Sequence, residues 1–276
     1  MGAKRLLGVV ASCRKIGNGE IVVKSVAERL APHWELSLVR LPEVRIAPCK
    51  GCYVCLLPGK ECNLEDDVAW LLDRFKESDG IVFAVPNYIL GPVGLVKMLA
   101  DRALQAHKYF DLFQQKKVAV ALTLGSEEYR GYADTVLASQ VGSLGLKIVG
   151  LECFYGRQPG GCVLAEDFRE KIERLAYCLD RGEPAESPHP NRCPYCRSDL
   201  FRVKAAGLEC AICKSFARLE GSGLTFASQH PEFTQEGRHR HMEKILSEKE
   251  GFESIKAQLS EIRNRYRGGN WLTPGV

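Results

Sequence analysis

The chain has 276 residues, of which 45% are hydrophobic and 26% charged, with 38 basic side chains against 34 acidic ones and a formal net charge of +4. That is the composition of a folded globular protein, and so small a charge does not select nucleic acid or an anionic membrane as the main partner. No apolar run reaches the ~18 residues of a membrane span, and the first run, RLLGVVAS, passes into SCRK without the features of a cleavable leader.

Five apolar runs rich in β-branched residues read as strands buried on both faces: 5–12, 34–41, 80–86, 117–125 and 147–156. Amphipathic stretches separate them, and a further one follows the last run. In LEDDVAWLLDRFKES, Val68, Leu71, Leu72 and Phe75 share a helical face, with Asp66 and Asp67 expected in the first turn, where they complement the helix dipole. Five strands alternating with helices predict a doubly wound parallel sheet over residues 1–182.

In such a sheet ligands bind at the carboxyl ends of the strands. The first loop there, ASCRKIGNGE (11–20), offers the Ser12 hydroxyl, the charges of Arg14 and Lys15, and backbone amides at Gly17, Asn18 and Gly19 beside a helix start. That is a phosphate cradle. The third run leaves through AVPNYILGPVG, where Tyr88 can cover a planar ring, and the fourth through TLGSEEYRG. Phosphate cradle, aromatic loop and glycine loop on one edge make the pattern of a flavin mononucleotide (FMN) site.

After the second run, APCKGCYVCLLPGKECNLEDD carries Cys49, Cys52, Cys55 and Cys62, a CxxCxxC group with a fourth cysteine after six intervening residues. Three thiolates two residues apart suit three corners of a cubane iron-sulfur cluster that a more distant fourth can close, whereas one tetrahedral zinc is better served by two knuckles with a long spacer. Twelve cysteines concentrated in such groups point to metal ligands in a reducing, cytoplasmic compartment.

RGEPAESPHPN (181–191) reads as a linker. Beyond it, Cys193, Cys196, Cys210 and Cys213 form CxxC, thirteen residues, CxxC, the spacing of a zinc ribbon over residues 192–228. A single rubredoxin-type iron is the alternative metal. Arg192, Arg197, Arg202, Lys204, Lys214 and Arg218 around the knuckles read as a solvated surface, with docking of an acidic partner as the second reading. Residues 229–276 form a helical extension, in which Ile245, Phe252, Ile255, Leu259 and Ile262 lie along one stripe that packs on its own chain or seams a dimer. No nucleophile, base and orienter set is evident, so chemistry would come from cofactors. Cys153, Cys162 and Cys178 read as inert thiols.

The SxRKxGN loop, the cysteine segment followed by DD and a helix, DGIVFAVPNYILGPVGLVKMLADR and the fourth-strand glycine loop together resemble the flavodoxin-like NAD(P)H-dependent FMN reductases, and more narrowly the iron-sulfur flavoproteins of anaerobes. The resemblance covers residues 5–180. It implies FMN phosphate contacts at Ser12, Arg14, Gly17, Asn18, Gly19 and Glu20, and ring and ribityl contacts at Pro86, Asn87, Tyr88, Leu90, Gly91, Thr123 and Gly125. It also implies a four-iron four-sulfur cluster on Cys49, Cys52, Cys55 and Cys62. The chain departs from the family at Cys13, where proline is frequent, and at Gly19, where a hydroxyl residue is.

The function expected is an oxidoreductase passing electrons between a [4Fe-4S] cluster and FMN, linking one-electron carriers such as ferredoxin to two-electron acceptors. Two alternatives stand beside it. One is an NAD(P)H-dependent FMN or quinone reductase without a cluster; the other is a redox-sensing adaptor that binds a partner through ribbon and tail. A homo-oligomer, dimer or tetramer, is expected, with no membrane and no nucleic acid among its partners.

Overall fold

The computed structural model describes residues 2–183 and 191–267, so most of the linker at 184–190 lies outside the described residues. Five parallel strands, β1 (Lys4–Val10), β2 (Trp34–Arg40), β3 (Gly80–Tyr88), β5 (Lys117–Leu124) and β6 (Lys147–Tyr155), lie in the order β2-β1-β3-β5-β6. This is the doubly wound order expected from the alternation of runs. β1 is flanked by β2 and β3, so the strand order reverses there and a crevice opens beyond the carboxyl ends of β1 and β3.

Helices cover both faces. The apolar sides of α1 (Asn18–Leu30) and α7 (Phe168–Arg181) close one core around Val22, Val26, Val82, Ala84 and Leu175. On the other face α2 (Val68–Glu77), α3 (Gly94–Ala100), α5 (Phe110–Phe113) and α6 (Ala133–Ser143) enclose Leu71, Phe75, Phe83, Leu99, Phe113 and Leu137. The stretch following β3 is broken where sequence periodicity suggested one helix. It makes a two-residue strand β4 (Gly91–Pro92) antiparallel to Asn87 and Tyr88, then α3, a one-turn α4 (Ala103–Ala106) and α5.

The ribbon is a four-stranded antiparallel sheet, β7 (Phe201–Lys204), β8 (Gly207–Cys210), β9 (Phe216–Glu220) and β10 (Gly223–Phe226), in the order β10-β9-β8-β7. It lies with the doubly wound sheet within one compact unit, Met1–His230. The second unit, Pro231–Val276, contains the 30-residue helix α8 (Gln235–Asn264), opened by Thr234, whose hydroxyl caps Gly237 N–H at 3.0 Å. Within it Phe252, Ile255 and Ile262 are exposed. Among the described residues no helix is long and apolar enough to cross a membrane.

Candidate functional site

The loop between β1 and α1 is shaped by three buried or half-buried polar groups. Ser12 Oγ accepts Arg14 N–H at 3.2 Å, turning the chain, and Ile16 enters the left-handed region with φ 52°. Arg40, at the end of β2, donates to the carbonyls of Ser12 and Arg14, both at 3.1 Å, and to Glu20 at 2.7 Å. Glu20 also accepts Ile16 N–H at 2.9 Å and Lys24 Nζ at 2.7 Å. Hydrogen bonds from Lys24 and then Arg40 lower its pKa to about 2. The Glu20 carboxylate is therefore a brace for the loop, its charge taken up by Lys24 and Arg40. Arg40, which no sequence motif marks, is the residue that engages the loop's carbonyls.

With those carbonyls occupied, the amides are what the loop presents. Gly17 caps α1 without a side-chain bond, leaving the first helical N–H groups for an anion. A Cβ on Gly17 would stand 3.1 Å from Arg14 Cβ, and one on Gly19 would stand 3.3 Å from Ala84 Cβ, so the helix start presses against β3. A side chain at position 19 would need Ala84 to give by a few tenths of an ångström. Asn18 Nδ2 donates to Gly156 O at 2.7 Å, while its Oδ1 is buried with no hydrogen-bond partner. Arg14 and Lys15 are exposed beside it.

Next along the edge, Asn87 and Tyr88 pair with Pro92 and Gly91 in a hairpin whose two-residue turn is Ile89 and Leu90. Both turn residues have positive φ, 51° and 64°, the geometry of a type I′ turn that normally takes Asn-Gly. For a β-branched residue this is a strained conformation. Ile89 is 93% exposed and Tyr88 52%. The β5 loop holds the hairpin: Asn87 Nδ2 donates to Tyr129 O at 2.6 Å, Tyr132 N–H to Leu90 O at 3.1 Å, and the Tyr132 ring lies against Gly91. Asn87 Oδ1 is buried and unpartnered. Pro86 and Thr123 are register partners on β3 and β5, and Gly125 lies beneath the Arg157 side chain. The candidate flavin residues are thus gathered on one edge, and two of them carry orphaned buried oxygens that fit a polar planar ligand.

The loop after β2 brings Cys49, Cys52, Cys55 and Cys62 to the wall of one pocket, about 390 Å³ counting the solvent at its mouth. Tyr53, Gly51 and Gly59 take left-handed φ of 57°, 61° and 68°, which fold the segment inward. Burial first, then the nearby Cys62, Cys49 and Cys52, pushes the Cys55 thiol up. Asp101, Arg102, Leu104 and Gln105 line the same pocket. Arg102 donates to Cys62 Sγ at 3.3 Å, Gln105 Oε1 at 2.8 Å, Ala47 O at 2.9 Å and the Asp66 carboxylate. Asp66 in turn accepts Ala47 N–H at 2.8 Å and Val68 N–H at 3.2 Å. Burial would push its carboxyl up; Arg102 and those amides outweigh this and hold it below the usual range. Asp66 and Asp67 precede α2 instead of lying in its first turn, because their carboxylates tie the cysteine loop back, Asp67 accepting Arg45 N–H at 2.8 Å.

In the ribbon the Sγ atoms of Cys193, Cys196, Cys210 and Cys213 lie within 4.8 Å of one another, the spacing of ligands to a single ion. Hydrogen bonding with Cys193, Cys210 and Cys213 pushes the Cys196 thiol up, while donation from Cys193, Cys196 and Cys213 draws Cys210 down. Arg197 and Lys214 follow the knuckles with φ 61° and 58°, keeping the left-handed turn without glycine. Much of the basic surface read from sequence is otherwise engaged. Arg192 pairs with Asp134 at 2.5 Å, Arg202 and Lys204 face Glu209 at 3.6 and 3.5 Å, and burial lowers the pKa of Arg197. Cys153, its pKa pushed up to about 12 by burial and then Asp134, and the buried Cys162 and Cys178 are poor nucleophiles.

The profile of the NADPH-dependent FMN reductases matches residues 4–156, which include every one of these loops on the doubly wound sheet. The chain belongs to that family. Proteins similar to this chain include an iron-sulfur flavoprotein of Methanocaldococcus jannaschii, 32% identical over 48% of this chain and 67% of that protein. Another, from Clostridioides difficile, is 28% identical over 55% of this chain and 68% of its own length. A solved structure described as a flavone reductase superposes with a TM-score of 0.70 at 18% identity, covering 98% of this chain and 100% of that one; at that identity the likeness is one of fold. Membership makes this reductase a flavin-dependent oxidoreductase.

Proposed function

We propose that this reductase carries FMN on the loops after β1, β3 and β5 and a [4Fe-4S] cluster on Cys49, Cys52, Cys55 and Cys62. Its reaction would connect one-electron carriers such as ferredoxin with two-electron acceptors. The observation that carries the reading is that four thiols line one pocket together with a buried arginine that donates to one of them. The names of the curated relatives support it. A bound cluster would supply one-electron exchange, and FMN both one- and two-electron chemistry.

The chain's own part is positioning. The unbonded N–H groups at the start of α1 and the charges of Arg14 and Lys15 meet the phosphate. Asn18 and Asn87 offer oxygens to donors of the ribityl chain or ring. Tyr88 and Leu90 supply apolar cover on the strained hairpin, and Arg102 shields thiolate charge by its N–H donation to Cys62. The ribbon thiols are proposed to hold zinc, which would stabilise a module too small for an adequate core.

A second reading, a cluster-free NAD(P)H-dependent FMN or quinone reductase, is favoured by the family to which the chain belongs. Reduced ferredoxin, added without oxygen, is expected to bleach the flavin band of the wild type and to do so far more slowly in Cys52→Ser. Equal flavin reduction in both proteins, with NADPH as the faster donor, establishes the second reading instead.

A further inference from the structure

Asp199, three residues beyond the Cys196 thiol, leaves the ribbon and bonds to the doubly wound sheet's own loops. Its Oδ2 accepts Arg130 Nη2 at 3.1 Å and its Oδ1 accepts the Thr135 hydroxyl at 2.8 Å, while Asp199 N–H donates back to Thr135 Oγ1 at 3.3 Å. Beside it Arg192, the residue before Cys193, lies 2.5 Å from the carboxylate of Asp134, which is fully buried, and 3.7 Å from Asp199. The knuckle that presents these two residues is closed by Cys193 N–H donating to Ser198 O and Arg197 N–H donating to Cys193 O, both at 2.8 Å.

Arg130 and Thr135 bracket the end of the β5 loop, and that loop grips the hairpin of the candidate flavin site. Asn87 is bonded to Tyr129 O, Leu90 O to Tyr132 N–H, and the Tyr132 ring abuts Gly91. Gly131, at φ +58°, has no room for a side chain, since a Cβ there would stand 2.5 Å from Leu90 O. An unbroken series of bonds and contacts therefore joins a cysteine knuckle to Asn87, Leu90 and Gly91. A metal held by the four thiols would brace the knuckle in this shape.

We propose that the four-cysteine ribbon positions the flavin site: with its metal bound, it fixes Arg130 and Thr135 through Asp199, and so holds the β5 loop and the Asn87–Gly91 hairpin in the shape that receives FMN. Asp199 is a positioning residue and touches no cofactor. The inference rests on the proposed FMN site. Coupling of this kind is reciprocal, so FMN must tighten metal binding in the ribbon by the same factor by which the metal tightens FMN binding.

Full-length wild type, Asp199→Asn, Asp199→Ala and Arg130→Gln are stripped of flavin and titrated with FMN, with ribbon metal measured by elemental analysis. Metal release to a chromogenic chelator is then followed with and without FMN. Arg192 and Arg130 keep Asp134 as a partner in the Asp199 variants, so the fold survives. The expected result is at least a tenfold loss of FMN affinity in Asp199→Ala at full metal content, and loss of the protection that FMN gives the metal in wild type. Asp199→Ala and Arg130→Gln combined should lose no more than the worse single variant. Unchanged FMN affinity in the Asp199 variants, losses that simply add, or wild-type metal release indifferent to FMN overturns the proposal. Wild type that binds no FMN at all overturns the flavin reading itself, which separates the two failures.

Discussion

Arg102 places its Nη2 3.3 Å from Cys62 Sγ while its guanidinium is paired with Asp66, both side chains being no more than 2% exposed. One cation thus holds the two ends of the cysteine loop, through Ala47 and Asp66, and also faces a candidate cluster ligand. Replacing Arg102 with methionine leaves the Asp66 carboxylate buried without its partner. The expected cost is about 3–5 kcal/mol of unfolding free energy together with loss of bound iron. Arg102→Lys keeps the charge but not the forked geometry, so an intermediate iron content is expected. Denaturant unfolding and iron analysis on both variants check this; full iron retention in Arg102→Met removes the arginine from the cluster's support.

Glu20 gives the phosphate loop a pH signature. Its folded pKa, near 2, lies below the ordinary 4.5, so the stabilisation is present above about pH 4.5 and is lost as pH falls toward 2. With the carboxylate 8% exposed but Lys24 nearly half exposed, roughly 2 kcal/mol is at stake. Urea unfolding between pH 5 and 2.5 should show wild type losing this increment, and Glu20→Gln should lack it throughout.

The Ile89 turn is strained and the Ile89 side chain almost wholly in solvent. Ile89→Asn, which accepts the left-handed conformation, should therefore raise stability by about 1 kcal/mol, read as a higher melting temperature. A fall would mean that the isoleucine is covered in the working protein, for example by a second copy or a bound acceptor.

Gly131→Ala should act in the opposite sense. The added methyl meets Leu90 O at a φ of +58°, so a loss of about 2–4 kcal/mol is expected together with weaker FMN binding. Thermal melting and flavin titration of the same sample test both effects.

Local pattern carried much of this fold in advance. The five strands and their helices were legible because continuous apolar runs alternate with amphipathic stretches, and that alternation admits few topologies; burial on both faces was read correctly for the inner strands only, since the edge strands β2 and β6 are in large part half-buried or exposed. The ribbon's four-cysteine group was legible from spacing alone, since thiols two residues apart share a turn. The residues that secure the sites were not. Arg40 and Arg102 stand at the end of a strand and just beyond a helix, where a basic residue looks like ordinary surface, and only the folded chain turns them inward onto Glu20 and Asp66. Arg192 looked like part of a basic patch for the same reason, and its partner Asp134 is 58 residues away. Long-range ion pairs leave no periodic trace. The strained Ile89–Leu90 turn was equally hidden, because its sequence lacks the Asn-Gly signal that such a turn normally shows.

The central claim is that one chain holds both a cluster and a flavin. Iron, acid-labile sulfide, zinc and flavin per chain, measured on protein purified without oxygen, test it most directly. About four irons and four sulfides with one FMN and one zinc per chain are expected. FMN and zinc without iron or sulfide would contradict it, leaving Cys49, Cys52, Cys55 and Cys62 without a cluster and the protein a plain FMN reductase.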